Sequence, residues 1–317
     1  MPILIREPEV EKLLPMSQAL VLVEEALRAM GEGRALNRPR QRVRGEAGVL
    51  HVMPAALPDK GYMGFKAYTA FHGKAQFYFH LFDVHTGEYL AIMEADRLGQ
   101  IRTGAASGVA TRYLARADAQ TVGIYGAGWQ ASSQLAAVCG VRQIRSVRCY
   151  SRDPERRRAF ADRMSNTLNV PVEPVDDPQK AAQDRDIVIT ITSAAEPVLL
   201  GRWLAPGAHV NAAGSNWPQR REVDSTVITR SSAIFVDSLE QARLEAGDLI
   251  QPVAEGLLDW DRVHEIGALL ANKVPGRTQP ADITLFKSGG IAVEDVAVAG
   301  WVYEQARAAG IGERLPL

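Results

Sequence analysis

The run Val122-Gly123-Ile124-Tyr125-Gly126-Ala127-Gly128-Trp129-Gln130-Ala131 sets two glycines and an alanine at G-x-G-x-x-A spacing. An apolar strand-like stretch precedes it and a helix-like stretch follows. Gly126 allows a tight turn, Gly128 lets a phosphate approach the backbone, and Ala131 lets strand and helix pack closely. The free N–H groups and partial positive charge of the helix start then suit a pyrophosphate. A bare G-x-G-x-x-A is often only a turn. Here the strand, the helix and the following strand all agree with a dinucleotide-binding loop, and a nicotinamide dinucleotide is expected.

The second strand of that unit ends in Cys149-Tyr150-Ser151-Arg152-Asp153-Pro154, followed by Arg156–Arg158. NAD-preferring sites place a carboxylate at this strand end to accept from the ribose 2′-hydroxyl. Ser151 stands there instead, with Arg152 next to it, which suits a 2′-phosphate. Asp153 is also within reach of the ribose, and at least two of Arg156–Arg158 read as a solvated helix face. The pattern favours NADP over NAD.

Three cations precede the loop. Arg40, with Arg42 two residues on, follows Pro39; Lys66 lies in the apolar run Gly64-Phe65-Lys66-Ala67-Tyr68; Arg102 lies in Gln100-Ile101-Arg102-Thr103-Gly104. A cation among apolar neighbours is costly to desolvate without an anion. That anion is either a protein carboxylate such as Glu94 or Asp96, or the carboxylate of a substrate held by guanidinium and ammonium.

The elements that must position these residues fall into two groups. Ile3–Ile5 reads as a short strand, and Gln18 to Met30 as a helix capped by Ser17. Short strands follow at Arg40–Arg44, Val49–Met53, Gly64–Thr69, Gln76–Asp83 and Tyr89–Glu94, separated by Gly- and Pro-containing turns, as in an antiparallel sheet. A small-residue helix is expected from Thr103 to Arg116. From Thr121 strands and helices alternate, the mark of a parallel sheet. Its strands read as Thr121–Tyr125, Ser146–Tyr150, Val170–Val175, Asp186–Thr192, His209–Ala213 and Ala233–Val236, with Arg230-Ser231-Ser232 as a turn. That sheet reads as complete, so the tail from Thr284, ending in a helix Val293 to Ala309, is expected to return to the first domain. The expected fold is α/β: a Rossmann domain over residues 116–283, plus an α+β substrate-binding and dimerisation domain from 1–115 and 284–317.

A chain of 317 residues fits two domains, and a net charge of -1 removes the electrostatic case for a nucleic-acid or anionic-membrane partner. The N-terminus meets charge too early for a signal-peptide core, and no apolar run reaches spanning length. Cys139 and Cys149 read as small buried hydrophobes, and the six histidines lack metal-ligand spacing. A soluble cytoplasmic protein with no metal site is expected.

Several segments occur in the order of a known family: Gly64-Phe65-Lys66, Asp83-Val84-His85-Thr86-Gly87, Ile101-Arg102-Thr103-Gly104-Ala105, the glycine loop, Gly214-Ser215-Asn216-Trp217-Pro218 with Arg221-Glu222-Val223-Asp224, and Phe286-Lys287-Ser288-Gly289-Gly290-Ile291-Ala292-Val293-Glu294-Asp295. The chain resembles the ornithine cyclodeaminase/mu-crystallin family over nearly its whole length. The resemblance implies a homodimer and hydride chemistry at the α-carbon of an amino or imino acid. It also implies that Arg40, Lys66 and Arg102 bind the substrate carboxylate, with Arg42 an alternative to Arg40, and that Ser288 lines the substrate pocket. Arg102, Thr103, Gly126, Gly128, Trp129, Gln130, Ser151, Arg152, Thr192 and Gly214 are implied as cofactor-binding residues.

Two positions depart from the family pattern. Cyclodeaminases carry an aspartate where Asn216 stands, and an amide cannot take up a proton as a carboxylate does. Gly289 replaces a larger apolar residue. Neither departure harms hydride transfer. The expected activity is therefore NAD(P)H-dependent reduction of a small imino acid. A cyclic ketimine carboxylate, Δ1-pyrroline-2-carboxylate or Δ1-piperideine-2-carboxylate, is the expected substrate, with Lys66 and Asn216 as the catalytic side chains. The rivals are ornithine cyclodeaminase, an alanine-type dehydrogenase, and a non-enzymatic binding protein.

Overall fold

The computed structural model describes residues 1–71 and 74–316, and its chain divides into two units. The first comprises Met1–Thr103 with Gly290–Leu317, the second Gly104–Gly289.

The first unit is built on an eight-stranded sheet. Its backbone is a meander of three long antiparallel strands, Gly48–Leu57, Tyr62–Phe71 and Lys74–Asp83, joined by Tyr89–Glu94. Ile3–Ile5 adds in parallel to Tyr89–Glu94 and pairs on its other side with Glu313–Arg314. Alternation along these strands sends Met53, Lys66, Phe79, Leu81 and Met93 to one buried face. The helices Met16–Gly31 and Ala292–Ala309 pack together, and Ala292–Ala309 lies against the long strands.

Two local readings are corrected here. The first long helix starts at Met16 with Pro15 at its N-cap, so Ser17 is inside the helix and not its cap. The strand read as Val49–Met53 continues through Pro54 to Leu57. Pro54 lacks an N–H to donate but still accepts, through its carbonyl, from Arg38 N at 3.1 Å.

The helix Asp96–Leu114 carries the chain into the second unit. It begins seven residues before the expected Thr103, so Arg102 sits within the helix and not ahead of it. Its small residues do permit close approach: a Cβ on Gly104 would lie 2.5 Å from Ser133 O.

The second unit is a doubly wound parallel sheet of eight strands. From one edge the order is Val172–Pro174, Ser146–Tyr150, Thr121–Tyr125, Ile187–Thr190, His209–Ala212, Ile283–Lys287, Ser231–Val236 and Val263–Glu265. One core joins Val122 and Ile124 to Leu135, Val138, Phe160 and Met164; another joins Val188, Val210, Ile234 and Leu285 to Val227, Ile228 and Leu249. Apolar residues on both strand faces are what a sheet covered on both sides requires.

The sheet is not complete without the tail. Ile283–Lys287, all buried, sits between His209–Ala212 and Ser231–Val236, and the return to the first unit comes only at Gly290. Ser231 and Ser232, read as a turn, open the strand Ser231–Val236 directly after the helix Ser225–Arg230. Among the described residues no helix is long and apolar enough to cross a membrane.

Candidate functional site

In the first unit, strand register collects the cations. Lys66 is opposite Met53 on one neighbouring strand and Phe79 on the other. Arg40, just before the strand Gln41–Arg44, reaches the same row, its Nε 3.3 Å from Met53 Sδ and its Nη2 3.4 Å from Gly290 O. Arg102 comes in from the helix Asp96–Leu114. Arg40, Lys66 and Arg102 are all buried.

The protein carboxylates beside them are Glu294 and Asp295, at the start of the helix Ala292–Ala309. Arg102 donates from Nη1 to Glu294 Oε2 at 2.9 Å and from Nε to Asp295 Oδ1 at 3.0 Å. Lys66 Nζ lies 3.6 Å from the same Asp295 oxygen. Glu94 and Asp96, the partners suggested by nearness in sequence, do other work. Glu94 accepts from the Glu7 N–H at 2.9 Å, and the Asp96 N–H donates to Glu7 at 2.7 Å.

Two glycines make room for this cluster. A Cβ on Gly99 would lie 2.4 Å from Lys66 Nζ, and one on Gly290, which holds φ +69, would lie 2.5 Å from Arg102 Nη1.

Burial sets the protonation of Lys66. Desolvation pushes its pKa down, Asp295 pushes back up, and Arg102 and Arg40 push down again, for a result of about 8. Burial would also lower Arg102, but Asp295 and Glu294 outweigh it and the guanidinium is held above its ordinary value. The cluster thus joins a permanent cation to an ammonium able to release its proton near neutral pH. His51, stacked on Tyr68 at 4.2 Å, is held neutral by burial and by Arg40, Arg42 and Arg44, with a pKa of about 4.

The second unit carries a groove of about 760 Å³ lined by Gly126, Gly128, Trp129, Gln130, Ser151, Arg152, Thr192 and Gly214 among others. It lies at the carboxyl ends of the parallel strands, where an open α/β sheet binds ligands. Gly126 holds φ +116, and a Cβ there would lie 2.2 Å from Ile191 O. Gly128 is the N-cap of the helix Trp129–Val141, and a Cβ on it would meet nothing within 4 Å. The first glycine is needed for the turn, and the second leaves open space over a helix start. That combination fits a pyrophosphate.

At the other strand end, Asp153 is occupied. Its Oδ1 accepts from Glu155 N at 3.0 Å and Arg156 N at 3.1 Å, capping the helix Pro154–Leu168. Arg156 and Arg158 are exposed. Arg157 is buried, donates to Ser151 O at 2.8 Å and lies over the Tyr150 ring.

Three sequence-derived residues remain. Thr103 Oγ1 donates to Gly99 O at 2.7 Å within its helix. Ser288 is buried in the second unit with Oγ 3.4 Å from Asp237 Oδ2. Asn216 borders a cavity of about 10 Å³ with Asp237, Gln241, Glu245, Lys287 and Gly289, about the room of one water.

Sequence reasoning missed Glu294 and Asp295 as partners of the cations, and gave no role to the buried groups Glu222, Asp248 and Lys287. Charged pairs inside apolar runs, as in Val293-Glu294-Asp295-Val296, were the available signal.

Comparisons with known proteins give the family. The ornithine cyclodeaminase/mu-crystallin family profile matches residues 2–310, and the chain belongs to that family. It is 41% identical over 236 residues to a Delta(1)-pyrroline-2-carboxylate reductase of Bacillus cereus, covering 74% of this chain and 72% of that one. The Thermococcus litoralis Delta(1)-pyrroline-2-carboxylate reductase, solved in complex with NADH and L-proline, superposes with a TM-score of 0.95 at 36% identity, covering 99% of this chain and 100% of that one. An archaeal alanine dehydrogenase dimer with bound NAD gives a TM-score of 0.94 at 32% identity, covering 100% of this chain and 99% of that one.

Proposed function

We propose that this protein is a cytoplasmic NAD(P)H-dependent reductase of a small cyclic ketimine carboxylate, yielding the L-amino acid. The observation that carries the reading is the buried cluster of Arg40, Lys66 and Arg102, where burial lowers the lysine pKa to about 8.

Arg40 and Arg102 hold the substrate carboxylate by charge-assisted hydrogen bonds. Lys66, protonated below about pH 8, gives its proton to the imine nitrogen. Gly126, Gly128 and the start of the helix Trp129–Val141 would hold a nicotinamide dinucleotide, which would supply the hydride that turns the C=N bond of the substrate into a CH–NH bond. Asn216, an amide, takes no proton. Ser151, Arg152 and Arg156 favour a 2′-phosphate, since the nearby Asp153 carboxylate caps its helix. NADPH is the preferred donor in this reading.

The test is NADPH oxidation with Δ1-pyrroline-2-carboxylate and Δ1-piperideine-2-carboxylate. Turnover of either supports the reading. No turnover of either, with proline formed from ornithine or alanine formed from pyruvate and ammonium, overturns it.

The first unit also has a face suited to a second copy of this chain. Phe65 stacks on His80 at 4.5 Å, and Phe82 packs on Tyr89 at 4.9 Å, on the side of the sheet opposite Lys66. Pro54, Met63, Phe65 and Phe82 line an apolar depression of about 400 Å³ there. This apolar depression supports the reading of a dimer face, and the alanine dehydrogenase relative is a dimer. Light scattering should give the mass of a homodimer; a monomer at micromolar concentration would refute this part.

A further inference from the structure

Behind the groove of the second unit lies a set of buried charges, Glu222, Asp248 and Lys287, that is not part of its lining. Glu222 is fully buried and gathers four donors. Its Oε1 accepts from Thr192 N at 2.6 Å and Thr192 Oγ1 at 2.8 Å; its Oε2 accepts from Gly214 N at 2.6 Å and Thr190 Oγ1 at 3.1 Å. Only a carboxylate offers enough lone pairs for four donors at once.

Glu222 is fixed in turn. Asp248 Oδ1 accepts from Glu222 N at 2.6 Å and Val223 N at 3.0 Å, and Asp248 Oδ2 lies 3.1 Å from Lys287 Nζ. Lys287 also donates to Ser215 O at 2.6 Å. The three groups therefore tie together the segments leaving Ile187–Thr190, His209–Ala212 and Ile283–Lys287. Gly214 has to be glycine for this: a Cβ there would lie 2.4 Å from Glu222 Oε1 and 2.3 Å from Thr192 N.

Thr192 and Gly214 line the groove at the end away from Ser151 and Arg152. The glycine loop and Ser151 belong to the strands that take the adenosine half of a dinucleotide, so the strand ends across the switch point take the other half. We propose that Glu222 is a positioning residue for the nicotinamide half of the cofactor, holding Thr192 and Gly214 at their places in the groove wall. The proposal rests on the dinucleotide reading of that groove.

The test is a Glu222→Gln substitution, which keeps the size but replaces one acceptor oxygen with an NH2 that faces the N–H of Thr192 or Gly214. Binding of NADPH, NADH and ADP-ribose is measured on wild type and variant. The expected result is dinucleotide Kd raised about tenfold or more, with ADP-ribose Kd changed by less than about twofold. Equal weakening of dinucleotide and ADP-ribose, or no weakening of either, overturns the proposal, because a merely structural role would not single out the nicotinamide half.

If Glu222→Gln does not fold, Asp248→Asn, which loosens the Glu222 backbone, takes the same measurements with the same expectation and the same refutation. A wild type that binds neither NADPH nor ADP-ribose would instead sink the dinucleotide reading, and the proposal with it.

Discussion

The first unit buries three cations, Arg40, Lys66 and Arg102, with two carboxylates, Glu294 and Asp295; the network behind the groove in the second unit buries two carboxylates, Glu222 and Asp248, with one lysine, Lys287. In the second unit the excess negative charge is met by backbone N–H donors, from Thr192 and Gly214 to Glu222 and from Glu222 and Val223 to Asp248. Nothing more is required of it, and it serves as scaffold. In the first unit the excess is positive, and a substrate carboxylate would balance it. Under the proposed function, charge balance within each cluster would distinguish a binding cluster from a structural one. The groove itself uses a third means, glycine backbone and a helix start, with its arginines left at the surface.

The contrast can be broken by substitution. The largest effect is expected from Lys66→Ala, with ketimine kcat/KM falling by about 10²–10⁴ while NADPH binding is retained. Undiminished turnover would remove Lys66 from proton donation. Next is Arg102→Ala, which takes the guanidinium away from the buried carboxylates Glu294 and Asp295. Denaturant unfolding should report a loss of about 3–5 kcal/mol, and an unchanged midpoint would show that the pairs are not coupled to folding.

Asp295→Asn tests the tuning of Lys66. The lysine donates only while protonated, so kcat/KM should fall as pH rises past about 8 in the wild type. Removing the Asp295 charge disfavours the ammonium, so that limb should move to lower pH by about one unit or more. A limb that stays put would show that another group sets it. The smallest effect is expected from Arg152→Ser: an NADPH Kd raised about tenfold, NADH unaffected, and thermal stability unaltered because the side chain is exposed. Equal loss for both cofactors would contradict a 2′-phosphate contact.

Much of this was legible in sequence because periodicity and glycine spacing are local signals. The strands Thr121–Tyr125 and Ser146–Tyr150 read directly, and the glycine loop sits where its spacing implied. What failed was long-range or ambiguous. Arg102 finds its carboxylates 192 and 193 residues away, a distance at which no pattern operates, whereas Glu94 and Asp96 were merely near. The polar start Asp96-Arg97 concealed the first two turns of the helix that holds Arg102. Ile283–Lys287 looked dispensable because a five-residue strand does not reveal which two strands it parts. Glu222 could not be recognised, since its partners, two backbone N–H groups and two threonine hydroxyls, lie on other segments.

The late arrival of Ile283–Lys287 in the chain has a consequence for biosynthesis. During translation, His209–Ala212 and Ser231–Val236 emerge from the ribosome well before the strand that must come between them. Until then two apolar edges in mid-sheet stay unsealed, a state open to aggregation and proteolysis. The next segment to emerge carries Glu294 and Asp295, so the counter-ions of the other half arrive within the same few residues. Both halves of the protein thus reach maturity almost together, and a nascent chain halted before Ile283 would have finished neither.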